Sequence, residues 1–231
     1  LVDKKVDRRI ARTRKLLRDA LLALIIEKRY ETITVENITD HADLGRATFY
    51  LHYHDKTELL LETIDTIAAD LIDEATKAGF IPGLLPKSAE PVSARNQANA
   101  ITLVFRYAAR NADLWRTILR GDGMTVASVR IRKIIGTVAG NYFKEYWQEN
   151  THGEKLNLPE GVVANYFAVA LMGFMTWWLE DGMQYPPEQM AEVFRRLFFQ
   201  GAFKAAGLPL GEDENLPQAT SIRKGIPSSS N

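Results

Sequence analysis

Apolar side chains recur at steps of three and four residues through almost the whole chain, and that rhythm commits it to α-helix. In residues 8–29, Leu17, Leu21, Leu24 and Ile25 form one stripe opposite a run of basic residues. From 56 to 78, Leu59, Leu60, Ile64, Ile67, Leu71 and Ile72 trace another. The same spacing predicts helices over 96–111, 113–120, 124–150, 160–183 and 187–206, with Pro187 suited to a first turn. Two pieces, 35–42 and 46–53, are too short to be stable alone and must lean on neighbours. Thr32-Ile33-Thr34-Val35 is β-prone yet too brief to count as a strand. The expected class is all-α.

Proline divides the helices. It is absent from residues 1–81, then Pro82, Pro86 and Pro91, with Gly79, Gly83, Ser88 and Ser93, mark a break near 79–95. A polar stretch with Pro209, Pro217 and Pro227 and a Ser-rich end reads as a disordered tail. The expected division is a head over 1–68, a helical body over 69–207 and a tail over 208–231. With 231 residues there is ample chain for a packed core, and 46% hydrophobic with 25% charged residues excludes a disordered protein. Zero cysteine removes disulfides, zinc thiolate sites and thiol nucleophiles, and fits a reducing cytoplasm. Residues 162–179 are nearly unbroken apolar, but Asn165, Gly173 and Thr176 interrupt them and nothing basic flanks them. The reading is a helix buried in a core or a subunit interface, not a membrane span.

Net charge is zero, which argues against nucleic acid until the chain is cut. Residues 1–18 hold Lys4, Lys5, Arg8, Arg9, Arg12, Arg14, Lys15 and Arg18 against Asp3 and Asp7, a local +6 balanced by −6 elsewhere. This arm is no signal peptide, since no uninterrupted apolar stretch follows its charges. The first residue is Leu1 rather than methionine, which points to a trimmed N-terminus.

The arm leads into the informative segment, TITVENITDHADLGRATFYLHYHDKTELL over 32–60. Thr34 can cap a helix beginning at Val35, and Asp43-Leu44-Gly45 forms a tight connector to a second short helix that starts with Arg46-Ala47-Thr48. Two short helices about a three-residue turn, over 35–53, describe a helix-turn-helix, whose second helix enters the major groove. Arg46 can fork onto guanine, and the methyls of Ala47 and Thr48 can meet a thymine methyl. Thr48, Tyr50 and Lys56 can hold phosphates, while Phe49 and Tyr53 would face inward.

In Thr48-Phe49-Tyr50-x-His52-Tyr53-x-Asp55-Lys56-x-x-Leu59-Leu60 the chain resembles the TetR family of transcriptional regulators over residues 8–68. That resemblance implies DNA contacts from Arg46, Ala47, Thr48, Tyr50, His52 and Lys56, and a phosphate contact from Thr34; Arg12 of the arm is a further phosphate candidate. Two positions depart from the family pattern: the usual turn glycine is Asp43, which can adopt left-handed φ at some cost, and the usual capping serine is Gly45. The implied fold is an N-terminal three-helix helix-turn-helix domain plus a larger helical ligand-binding and dimerisation domain.

Beyond residue 78 the resemblance is architectural. Helices 160–183 and 187–206, joined at Gln184-Tyr185-Pro186, form a hairpin that can pair with its copy. The candidate interface is Val169, Gly173, Trp177, Met190, Phe194, Leu197 and Gly201. Family members enclose a small inducer between their middle helices, and the candidate lining here is Phe105, Arg106, Trp115, Tyr142, Tyr146 and Phe174, with Arg106 the best single choice for an anionic group.

Other chemistry lacks its residues. His41, His52, His54 and His152 make no ligand set, Gly121-Asp122-Gly123 is no dinucleotide loop, and no Gly-x-Ser-x-Gly elbow exists, so no metal, cofactor or catalytic centre is expected. The expectation is a cytoplasmic, homodimeric DNA-binding regulator, a repressor released from a palindromic operator by a small-molecule inducer. The alternatives are a helix-turn-helix adaptor or architectural protein without an effector, and, further off, a helical enzyme.

Overall fold

The structure, a computed structural model of the chain, describes residues 4–77, 94–120, 125–150 and 158–203. Most of the expected break at 79–95, and all of the tail at 208–231, lie outside these residues. Nine α-helices are present among the described residues, and no strand. They are α1 (Lys4–Glu27), α2 (Val35–His41), α3 (Arg46–Tyr50), α4 (Lys56–Lys77), α5 (Ala94–Arg110), α6 (Ala112–Arg120), α7 (Thr125–Asn150), α8 (Glu160–Glu180) and α9 (Pro187–Leu197). A 3₁₀ turn covers Tyr30–Thr32, and a π turn, Phe198–Phe203, follows α9 where the sequence predicts continuous α-helix.

The head is built on the stripes read from the sequence. Leu17, Leu21, Leu24 and Ile25 of α1 are buried against Ile38, Phe49, Tyr53, Leu59 and Leu60. Each such side chain contributes roughly 1.5–3 kcal/mol by leaving water, enough to hold a five-residue helix that could not persist alone. Helix α4 runs unbroken through residue 68, so the expected domain boundary falls inside a helix shared by head and body. The two parts also meet where α1 packs on α6 and α4 on α7. At the second contact Arg130 of α7 forks onto Asp65 of α4, with Nε–Oδ1 at 2.7 Å and Nη2–Oδ2 at 2.6 Å. Both side chains remain partly exposed, so this pair fixes direction more than it stabilises.

In the body, α7 lies against α8 along a seam of small residues. A Cβ added at Gly140 would stand 3.5 Å from the Ala164 Cβ, and one at Gly136 3.9 Å from that of Ala168. Phe198 joins α7, α8 and the end of α9, stacked on Phe143 at 5.6 Å and meeting Phe167 edge-on at 4.8 Å. Helix α8 is apolar all round, long enough by length and composition to cross a membrane, but here it packs on α5, α6 and α7. Val163, Ala164, Ala168, Leu171, Met175, Trp178 and Leu179 form its buried face.

Helix α8 ends three residues before the expected 183 because Gly182 and Met183 take left-handed φ of 77° and 56°. Trp178 organises this corner. Its carbonyl accepts from the Met183 N–H at 3.0 Å, and its buried indole Nε1–H donates to the Tyr185 carbonyl at 2.9 Å. Arg116 of α6 donates to the Leu179 carbonyl at 2.9 Å, satisfying another acceptor of the last turn. Trp178→Phe would orphan the Tyr185 carbonyl and is expected to lower stability by about 1–3 kcal/mol in urea unfolding. An unchanged midpoint would show that this bond does not hold the corner.

Candidate nucleic-acid interface

The helix-turn-helix forms as its local chemistry dictates. Thr34 caps α2: its hydroxyl accepts from the Asn37 N–H at 3.1 Å, and the Asn37 side chain accepts from the Thr34 N–H at 3.2 Å, a reciprocal capping box. The turn is made by Asp43 at φ 54°, the left-handed conformation expected of it, with Leu44 N–H donating to Thr39 carbonyl at 2.9 Å. Gly45 caps α3 without a side-chain bond.

One side of α3 is fixed in the core and the other faces outward. Phe49 is fully buried and Tyr53, four residues on, nearly so, 5.7 Å apart between rings. The Tyr53 hydroxyl donates to Glu62 of α4 at 2.9 Å, and burial followed by this bond to a carboxylate pushes its pKa well above the usual tyrosine value. Glu62 also receives Arg18 and Arg14 of α1, each at 3.3 Å. One carboxylate therefore ties α1, the end of the recognition segment and α4 together. Arg46, Ala47, Tyr50 and Leu51 are exposed, and Thr48 and His52 are half-buried beside them.

The arm divides by the same logic. Arg14 and Arg18 are held by Glu62, and Lys15 pairs with Asp19. Arg8, Arg9 and Arg12 are exposed and make no ion pair among the described residues.

Lys56 departs from expectation. Its ammonium donates to the carbonyls of Tyr30 at 2.8 Å, Glu31 at 3.1 Å and Ile33 at 2.7 Å, and lies 4.6 Å from the Tyr30 ring centroid. An ammonium has three N–H bonds, and three acceptors take them all. Burial draws its pKa below the usual lysine value, against the opposing pull of Glu31. In this arrangement Lys56 staples the loop before α2 rather than presenting a charge to phosphate. Asp55 caps α4 beside it, accepting from the N–H groups of Thr57 at 2.8 Å and Glu58 at 2.9 Å.

Two family models match separate stretches of the chain. Residues 17–63 match the family model described as bacterial regulatory proteins, tetR family, and residues 95–200 match one described as a transcriptional regulator C-terminal region. The chain belongs to the TetR family. An uncharacterized HTH-type transcriptional regulator, YxbF of Bacillus subtilis strain 168, is 32% identical over 193 residues, covering 83% of this chain and 46% of its own length. This chain thus spans about half of that relative. Among solved structures, a TetR-family regulator from Syntrophomonas wolfei aligns with a TM-score of 0.66 at 16% identity, covering 87% of this chain and 98% of the other. FadR from Bacillus subtilis, in complex with stearoyl-CoA, aligns with a TM-score of 0.62 at 17% identity, covering 81% and 98%. At these identities the likeness is one of fold.

The expected effector residues have different surroundings in the described body. Phe105 is fully buried, 5.3 Å from Trp178 and 6.3 Å from Phe174 between rings, and acts as core. Arg106, the favoured ligand contact, is exposed and pairs with Glu188 of α9 at 2.7 Å. Tyr142 is half-buried, edge-on to Phe143 at 5.6 Å, and the Tyr146 side chain lies outside the described residues. Trp115 is buried, and its indole N–H has no hydrogen-bond partner among the described residues.

The expected interface residues split similarly. Val169, Gly173 and Trp177 lie on the outward face of α8 with Val162 and Tyr166, and Leu197 and Gly201 are exposed after them. Met190 and Phe194 are buried within the chain, so they belong to its core and not to a surface between copies. Glu62 is a further positioning residue of this interface, and nothing local in the sequence marks it.

Lys56→Met should remove three bonds to carbonyls and lower unfolding free energy by about 1–3 kcal/mol. The salt dependence of duplex binding should stay the same, whereas loss of a phosphate contact would change the log–log slope by about 0.9.

Proposed function

We propose that this TetR-family chain is a sequence-specific DNA-binding transcription regulator, acting as a cytoplasmic homodimeric repressor that a small-molecule inducer releases from a palindromic operator. The observation that carries this reading is the outward face of α3, where Arg46, Ala47 and Tyr50 stand exposed while Phe49 is locked in the core. A helix held this rigidly can present base-reading groups without paying for order on binding. Thr34 and Arg12 are exposed and would add phosphate contacts, with half-buried Thr48 and His52 beside the reading face.

The second copy is supported by α8. Val162, Tyr166, Val169, Gly173 and Trp177 are exposed at steps of four, three, four and four, a continuous apolar face that a single copy leaves in water. A palindromic operator requires the two recognition helices of such a pair to sit one helical turn of DNA apart, roughly 34–36 Å. The inducer is supported by the unpartnered indole of buried Trp115 and by the stearoyl-CoA bound to the structurally similar FadR. A ligand that shifts α7 would act on the head through Arg130 and Asp65 along α4.

Arg46→Ala should abolish discrimination between a selected duplex and its scrambled control in fluorescence anisotropy; retained discrimination refutes base reading by Arg46. Arg12→Ala should weaken all duplexes alike and flatten the salt slope by about 0.9. Trp177→Glu should yield a folded monomer by analytical ultracentrifugation with unchanged helical circular dichroism, and a persistent dimer would place the interface elsewhere. A thermal-shift screen of metabolites checks the effector: at a hundredfold excess over Kd a bound inducer adds about 2.7 kcal/mol of stability.

A further inference from the structure

The outward face of α3 carries more than the residues named so far. Leu51 follows the helix directly, keeps helical dihedrals (φ −70°, ψ −18°), and at 80% exposed is the most exposed large hydrophobic side chain among the described residues. A lone exposed leucine needs no explanation. This one stands four residues after exposed Ala47, so the two occupy one strip of the helix surface, next to the strip formed by Arg46 and Tyr50. Phe49, fully buried, fixes the rotation of the helix and keeps Leu51 turned away from the core. The surface proposed to enter the groove therefore has a polar row and, beside it, an apolar row.

An aliphatic side chain has no donor or acceptor, so it can neither hold a phosphate nor pair with a base heteroatom. The apolar feature a major groove offers it is the C5 methyl of thymine. Resting on the DNA-binding reading above, we propose that Leu51 is a specificity-determining residue that reads a thymine methyl group, extending the apolar contact begun by Ala47. Residues four apart rise about 6 Å along a helix. Base pairs are spaced about 3.4 Å, so Ala47 and Leu51 address positions about two base steps apart. Leu51 thus selects A·T pairs at a position Arg46 does not reach.

The test removes the methyl alone. Duplexes are selected from a random library with the full-length protein, and each thymine is then replaced in turn by deoxyuridine. One thymine per half-site should show a loss of about fourfold on replacement, the equilibrium factor of one buried methyl group, or about fifteenfold when both half-sites change. Leu51→Ala should show the corresponding loss on the thymine duplex and no further loss on the uridine duplex, while Leu51→Met keeps the uridine penalty. The side chain is exposed, so the melting temperature should not move. Equal binding by Leu51→Ala and the parent protein overturns the proposal, as does a loss by Leu51→Ala that is the same on thymine and uridine duplexes. Failure to select any duplex, with Arg46→Ala indistinguishable from the parent, removes the DNA-binding reading itself and the proposal with it.

Discussion

The structure turns on how a five-residue helix is held still. Helix α3 is far below the length at which a helix persists in water, so its orientation is imposed entirely from outside. Phe49 and Tyr53 anchor it in the core of the head, and Glu62 converts the Tyr53 hydroxyl and two arginines of α1 into one connected joint. Lys56 staples the loop in front of α2 from the other side. A carboxylate engaged by one hydroxyl and two guanidinium groups and an ammonium donating to three carbonyls are both close to saturation. Their rigidity is what makes the exposed row on α3 a defined surface.

That rigidity transmits as well as holds. Helix α4 carries Glu62 near its start and Asp65 one turn later, so the joint of the head and the fork to Arg130 of α7 sit on adjacent turns of one helix. The Asp65–Arg130 fork thus links α7 of the body to the same helix that anchors the recognition segment. The corner after α8, set by Gly182, Met183 and the Trp178 indole, aims α9 back along α8 and leaves the opposite face of α8 bare. One apolar helix thereby serves two surfaces, the core of its own chain and the face we assign to a second copy.

Much of this was legible residue by residue. The cap at Thr34, the left-handed Asp43, the inward Phe49 and Tyr53 and the Pro187 start are properties of short stretches, and each stands where its chemistry put it. Partners distant in sequence are what a short pattern does not show: the carbonyls that Lys56 meets lie up to 26 positions earlier, and Glu188, which pairs with Arg106, lies 82 positions later. A cation in a motif looks free until the fold brings an acceptor to it. Met190 and Phe194 were placed between copies because a three- and four-step pattern shows that a face is apolar without showing which neighbour covers it.

The amino-acid order alone thus determined the helices, their caps, the turn of the motif and the family, because periodicity, capping and turn chemistry act over a few residues. Only the tertiary structure decided which charges remain available and which apolar face remains bare. Of the basic arm it left Arg8, Arg9 and Arg12 exposed while Glu62 took Arg14 and Arg18; of α8 it buried one side and exposed the other. Those outcomes depend on groups distant in sequence meeting in space, and no local pattern encodes the meeting.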